Sequence, residues 1–557
     1  MNSKIAFYLN KSVESLRISN LDSAELYLSQ ALKLESKNPH TLRLLGVVYA
    51  QRKDYLRALK YLNNSLRVFP KNSATLSNLG NVFLELRQYD NALDCYAKSI
   101  KIDPNNSATL SNLGSIFFEL KQYDKALDYF DKSIKIDSNN YEAWYNKSKV
   151  LKELKRYDEA ITHYDKALSL RPDYVEAWSN KGNTLFQLKQ YEEAIAHYDR
   201  AINLKVNYAE AWSNKGAALH ELKQFSEAIA HYDKALSLKP DYHDASWSKS
   251  LTLLLQGDFE NGLPLYESRW DSEKVSETVG KRIFDKPTWL GVDSLAGKRI
   301  LIYGEQGLGD FIQFCRYVKL VAELGANVIL EVPQSLASLM KNLDGISQLV
   351  IKGEDLPFFD YQCPLLSLPL AFKTNLDTIP SPSRYINLND YSNKIMEWKV
   401  RLSSKLKPRV GLVWSGNPHH KNDHNRSILL RDILPFLPNQ CEYVSLQKEV
   451  REVDKLTLDS NPRILNFAGY LNDFLDTAAL INNLDLVIGV DTSVVHLSGA
   501  LGKKTLLLLP YVPDWRWLLD RDGSPWYPSV KIYRQSAIGD WNSVFDRVKL
   551  DLNSSYS

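Results

Sequence analysis

Small and apolar residues recur through the first half of the chain at a spacing of 34. Ala24, Ala58, Ala92, Ala126, Ala160, Ala194, Ala228 and Gly262 hold that interval without a gap. Around each of them apolar positions fall three and four residues apart, the period of one helix face. In the unit that begins at Ser73, Leu76, Leu79, Gly80 and Phe83 form one stripe, Tyr89 marks a turn, Ala92 and Tyr96 lie on a second helix, and Pro104 ends it. The same grammar returns at Leu110, Leu113, Gly114 and Ala126, then at Trp144 with Ala160, Trp178 with Ala194, and Trp212 with Ala228. A helical hairpin of this size cannot bury its apolar face alone, so the period predicts an all-α solenoid of about eight stacked hairpins over residues 1–272. Gly80 and Ala92 are expected to be small because two helix backbones approach there, with Tyr96 filling the volume between neighbouring hairpins.

Past Trp270 the pattern changes. Residues 273–298 read as a connector containing Pro287, Trp289 and Gly291. From Arg299 short apolar runs alternate with helical stretches. RILIY, NVILEVP and QLVIK fall within residues 299–407, and RVGLVW, EYVSLQ, RILNFAG, DLVIGV and KTLLLLP within residues 408–557. A stretch with Pro380, Ser381, Pro382 and Ser383, followed by a helix over Tyr391–Leu406, separates the two blocks. Such an alternation predicts parallel sheets covered on both faces, here two Rossmann-like halves with a cleft between them. Ligands of open α/β sheets bind beyond the carboxyl ends of strands. The candidate loops are therefore those after RILIY, RVGLVW, EYVSL and DLVIG.

Composition narrows the partners. A formal charge of +3 on 557 residues, with Lys and Arg alternating with Asp and Glu along helix faces, disfavours nucleic acid. The cysteines Cys95, Cys315, Cys363 and Cys441 have neither metal-ligand nor redox spacing, which argues against a disulfide framework. The N-terminal residues lack an apolar core of signal-peptide length, and no apolar run approaches membrane-spanning length. A reducing, cytoplasmic setting is expected.

The loops carry the chemistry. After RILIY comes GEQGLGD, whose glycines let backbone approach a ligand and whose Asp310 opens the next helix, as a cleft-facing carboxylate or as a helix cap. It lacks the lysine and hydroxyl of a phosphate-binding P-loop and the spacing of a dinucleotide fingerprint. The loop SGNPHHKNDHNRSI gathers His419, His420, Lys421, His424 and Arg426. Without carboxylate or cysteine spacing a metal site is not expected, and the guanidinium of Arg426 suits phosphate oxygens. Gln447 ends EYVSLQ. After DLVIGV the chain delivers Asp491, Thr492 and Ser493 to a helix N-terminus, with His496 one turn in; amides and dipole there attract an anion, although the same residues serve as plain caps and His496 as a satisfied core histidine. Beyond it, Arg516 lies between Trp515 and Trp517, followed by SPWYP at 524–528. These aromatics suit either closure over a sugar or base, or packing at the solenoid junction.

The array resembles tetratricopeptide repeats. The stretch DTSVVHLSGALG resembles the DTG, His, Leu, small, Ala, Leu, Gly pattern of family 9 glycosyltransferases, the lipopolysaccharide heptosyltransferases, with Ser493 where that family has glycine. Gly309 and Asp310 fall where that family has its first-strand Gly-Asp. The plan of repeats followed by such a domain resembles the family 41 O-linked N-acetylglucosamine transferases. The resemblance implies a GT-B pair of Rossmann-like domains, acceptor side first and donor side second, and an inverting transfer from a nucleotide-diphospho-sugar co-substrate with no metal or other cofactor. Carried over by position, it implies Asp310 as general base, with Thr492, Ser493 and His496 at the donor diphosphate; Arg426, Gln447, Asp491 and Arg516 stand beside them as further candidates for donor binding.

Asn78, Asn112, Asn146, Asn180 and Asn214 occupy one position in five successive units. They are expected to line one surface, where side-chain amides pair with an extended peptide, as in the asparagine ladder of family 41 enzymes; alternatively, Asn is simply the repeat consensus. The leading expectation is a glycosyltransferase that recruits a polypeptide through its repeats. Alternatives are a non-catalytic scaffold with a vestigial transferase domain and an enzyme acting on cell-surface glycan.

Overall fold

The computed structural model describes residues 3–275, 280–420 and 422–556. They form an all-helical N-terminal segment followed by two parallel sheets. By compactness the chain divides into residues 1–218 and 219–557.

Among the described residues the helical segment comprises sixteen α-helices, from Ser3–Arg17 to Phe259–Tyr266. The hairpins between Pro39 and Leu238 each pair a shorter helix with a longer one, as Ser73–Glu85 with Tyr89–Ile102 and Ser107–Glu119 with Tyr123–Ile136. Asn72, Asn106 and Asn140 start successive first helices by accepting the backbone N–H of Thr75, Thr109 and Ala143 at 3.0–3.1 Å. The turns are closed by Arg87, Lys121, Lys155 and Lys189 in the left-handed region, without glycine. The 34-residue alanines from Ala24 to Ala228 are fully buried. Gly80 is small for a reason other than the one expected. A β-carbon there would meet the Tyr96 ring at 2.4 Å, and at Gly182 the Tyr198 ring at 2.6 Å, so the glycine accommodates an aromatic ring and not a second backbone.

In residues 219–557 the last helices share one apolar core with the first sheet and part of the second. The first sheet holds β1 (Arg299–Tyr303), β2 (Asn327–Val332), β3 (Ile346–Ile351) and β4 (Tyr361–Pro364) in the order β3-β2-β1-β4. The second holds β5 (Arg409–Val413), β6 (Glu442–Ser445), β7 (Ile464–Asn466), β8 (Leu486–Val490), β9 (Thr505–Leu509) and β10 (Val530–Arg534), in the order β10-β9-β8-β5-β6-β7. Neighbours in both sheets are parallel. Counted from β5, the second order is that of a doubly wound dinucleotide-type sheet, whose crevice opens where the winding reverses, between β5 and β8. In the first sheet the reversal lies between β1 and β4.

β5, β8 and β9 are buried throughout, which is why they read as continuous apolar runs. Gly489 lets β8 lie close to β5, since a β-carbon there would fall 2.3 Å from Val413 Cγ1. Gly489→Ala is expected to cost about 1–3 kcal/mol through forced strand separation, read as a lowered thermal midpoint. Among the described residues no helix is long and apolar enough to cross a membrane. All four cysteines are buried free thiols.

Candidate functional site

Loops from both reversal points meet. The helix Leu308–Phe314, entered from β1, packs on the helix Ser493–Ala500, entered from β8. Their approach depends on Gly309, where a β-carbon would lie 2.9 Å from the His496 ring and 3.4 Å from Ser493 Cα. The next residue, Asp310, closes the first turn of its helix by accepting the Gly307 N–H at 3.0 Å. Its other oxygen takes an ion pair from Arg516 at 2.5 Å, and Arg516 also holds Asp514 at 2.8 Å. Asp310 is thus both cap and salt-bridge partner.

Arg516 is buried, over the Trp515 and Phe314 rings. Burial opposes its charge, but Asp310 and Asp514 outweigh that and hold its pKa well above the usual arginine value. Arg426 donates to the Asp491 carbonyl at 2.9 Å and so ties the loop after β5 to the loop after β8. Gly416 makes room, because a β-carbon there would meet the Arg426 guanidinium at 2.9 Å. Gln447 is buried and donates to Ser415 Oγ at 3.0 Å, joining the loops after β5 and β6.

At the start of the Ser493–Ala500 helix, Thr492 occupies the cap position without capping. Its hydroxyl is buried and has no hydrogen-bond partner, while the residue is only 8% exposed. Ser493, half-buried, is the first helical residue. His496 has both ring nitrogens engaged: Nδ1 with the Tyr527 hydroxyl at 2.9 Å, Nε2 with the Asp491 carboxylate at 3.4 Å, and its ring stacks on Trp517. Burial pushes the Asp491 carboxyl up, but His496, Arg426 and Trp517 more than compensate and keep it below the usual range.

His420 reports how closely these charges gather. Burial, then Arg426, lowers its pKa, while Asp310, Asp491 and Asp514 oppose. Three carboxylates and the guanidiniums of Arg426 and Arg516 therefore share one region. His419 is exposed, and Lys421 lies outside the described residues.

The aromatic loops resolve into packing. Trp515 and Trp526 are buried against Phe259 and Tyr266 of the last repeat and Phe314 of the first sheet's side, so they join the helical array to the α/β part. Trp517 and Tyr527 instead flank His496. Sequence reasoning passed over Asp514, Tyr527 and Glu305. Tyr527 lay within SPWYP and Glu305 within the glycine loop, but their partners His496 and Arg269 are remote in sequence; Asp514 stands just before the Trp515–Trp517 run.

The five asparagines occupy one register on first helices of their hairpins and are half-buried. Asn112 donates to Asn81 at 2.7 Å, Asn146 to Ser115 at 3.5 Å and Asn180 to the Tyr145 hydroxyl at 2.7 Å, each partner lying in the preceding repeat. The Asn78 amide nitrogen is buried with no partner. These amides thus staple successive hairpins, which leaves fewer donors for a peptide than a free ladder offers.

Comparison with known proteins accounts for the helical segment. Models described as TPR repeat match residues 149–189 and 182–223, and models described as tetratricopeptide repeat match 38–105 and 209–242. The chain carries tetratricopeptide repeats. A model for anaphase-promoting complex, cyclosome, subunit 3 matches residues 85–167. Protein FlbA of Caulobacter vibrioides is 26% identical over 330 residues, covering 54% of this chain and 53% of FlbA. The chain thus spans about half the length of that relative. Among solved structures, the Cut9–Hcn1 hetero-tetramer of APC/C aligns at 18% identity over 44% of this chain and 52% of that one, with a TM-score of 0.40. YrrB, titled a TPR protein with an unusual peptide-binding site, aligns at 21% over 35% of this chain and all of its own, with a TM-score of 0.30.

Proposed function

We propose that the chain is an inverting glycosyltransferase that moves a sugar from a nucleotide-diphospho-sugar to an acceptor held by the repeats. The observation that carries this reading is the orphaned, buried Thr492 hydroxyl at a helix N-terminus beside the β5–β8 reversal, with Arg426 and Asp310 close by. A buried hydroxyl without a partner costs about 1–3 kcal/mol, which a ligand oxygen at that place would relieve. Amides at the start of the Ser493–Ala500 helix and the Arg426 guanidinium suit a diphosphate.

In the reaction, the acceptor hydroxyl passes its proton to the Asp310 carboxylate while its oxygen forms a bond to the anomeric carbon. The bond from that carbon to the phosphate oxygen breaks, and its electron pair leaves on the nucleoside diphosphate. Arg426 and the helix amides meet that developing charge. With both nitrogens held by protein, His496 acts here by fixing Asp491, not by touching phosphate. Asp491, kept ionised, is free to accept sugar hydroxyls.

Tetratricopeptide repeats commonly mediate protein–protein contacts, which favours a polypeptide acceptor or a carrier of one. The test is incubation with UDP-, GDP-, ADP- and CDP-sugars, reading released nucleoside diphosphate with and without cell-extract protein. Release from one nucleotide class, stimulated by added protein, is expected. No release from any, in a protein of normal melting behaviour, leaves a repeat scaffold with a vestigial transferase domain.

A further inference from the structure

Arg516 is the joint between the two sides of the cleft. Its Nη1 holds Asp514, from its own loop after β9, and its Nη2 holds Asp310, from the loop after β1. Its Nε is buried without a partner, so the guanidinium is only partly satisfied by the two carboxylates. Gly309, adjacent to Asp310, lies so near the helix start where the diphosphate would sit that a β-carbon on it would fall 2.9 Å from the His496 ring and 3.4 Å from Ser493 Cα. Asp310, Asp491 and Asp514 gather here about Arg426 and Arg516, and both of these arginines already have oxygen partners.

An anion entering here must therefore compete with a carboxylate for Arg516. A diphosphate carries more charge than a carboxylate and matches the guanidinium fork, so it is suited to win. A carboxylate oxygen held in an ion pair is also not open to a substrate hydroxyl, and here that oxygen is Asp310 Oδ1, held by Arg516. We infer that Arg516 changes partner during the cycle: donor diphosphate takes it from Asp310, and only then is Asp310 free to accept the acceptor's proton. This inference rests on the transferase reading above. It makes the order of binding donor first, and it keeps Asp310 occupied while no donor is present.

The test is calorimetric titration of UDP, GDP, ADP and CDP into wild type, Asp310→Asn, Arg516→Ala and the double variant, with Arg516→Gln alongside in case the alanine leaves two carboxylates too poorly compensated to fold. Removing the competing carboxylate is expected to tighten the bound nucleoside diphosphate by roughly threefold to tenfold, and removing Arg516 to weaken it. The deciding comparison is the double variant. If the arginine is exchanged, Asp310→Asn gains nothing once Arg516 is gone. A gain of equal size on both backgrounds would be mere loss of a nearby negative charge, and overturns the exchange, as does an unchanged affinity in Asp310→Asn. Absence of binding of all four diphosphates to wild type overturns the transferase reading itself, and the exchange with it.

Discussion

Asp310→Asn is expected to lower turnover by about 10² to 10⁴-fold, the usual contribution of a positioned general base. Asn nearly preserves the shape, and its carbonyl still accepts the Gly307 N–H that closes the first turn of the Leu308–Phe314 helix. It cannot take up a proton, and its amide faces Arg516 without charge. Loss of transfer should therefore appear in the chemical step while donor still binds, a pattern that separates removal of a base from collapse of the site. The measurement is steady-state transfer with the donor class found by the nucleotide-sugar panel, together with the thermal midpoint of each protein. Turnover within a few-fold of wild type, at unchanged folding, would confine Asp310 to capping and to its ion pair with Arg516.

The helical array was legible because its period is enforced by contact. Each buried alanine lies where a neighbouring helix passes, so selection of small residues leaves a mark every 34 positions. What faces the glycines was not legible, since a tyrosine two turns into the next helix leaves no mark on the glycine itself. The central strands were equally plain, being apolar end to end. β4 and β10 were missed, and both stand at sheet edges. β10 alternates buried Val530, Ile532 and Tyr533 with exposed Lys531, and β4 is four residues ending in Pro364, so neither carries the continuous apolar run of a central strand. The helical stretch that follows GEQGLGD is two helices, Leu308–Phe314 and Tyr317–Glu323.

At the candidate site, strand-to-helix loops that were legible as separate segments meet in the structure, because a doubly wound sheet places its polar loops at carboxyl ends. Pairings were beyond reach. Asp310 and Arg516 are 206 residues apart, and Tyr527 lies 31 residues beyond the histidine it holds. The glycine loop GEQGLGD also turned out to have two sides. Its Asp310 faces Arg516 at the cleft, whereas its Glu305 turns inward to a second arginine, Arg269, at the end of the helical array.

That inward pair yields the second large effect, on stability. Arg269 is fully buried, and its Nη2 donates to Glu305 at 3.0 Å and to Ser367 at 2.7 Å, while its Nη1 holds Glu267 at 2.6 Å. Arg269→Ala removes the cation and leaves Glu305 in a buried place, a change expected to cost about 3–5 kcal/mol. Glu267 is 24% exposed and can be hydrated; Glu305, at 1%, cannot. Burial already pushes the Glu305 carboxyl up to about 7, against the pull of Arg269. A carboxyl with a raised folded-state pKa contributes stability that is fully present below its unfolded value, about 4.3, and is lost as pH rises through about 7. Without Arg269 the folded value climbs further, so the loss extends to higher pH. The substitution should thus cost less at pH 5, where Glu305 takes up a proton, than at pH 8, where it must stay charged or bind a proton against the solution. Denaturant unfolding of wild type, Arg269→Ala and Arg269→Ala with Glu305→Gln at both pH values measures this, and the glutamine should recover much of the loss at pH 8. An equal cost at both pH values, unrelieved by glutamine, would assign the damage to lost packing around the guanidinium and not to a stranded charge.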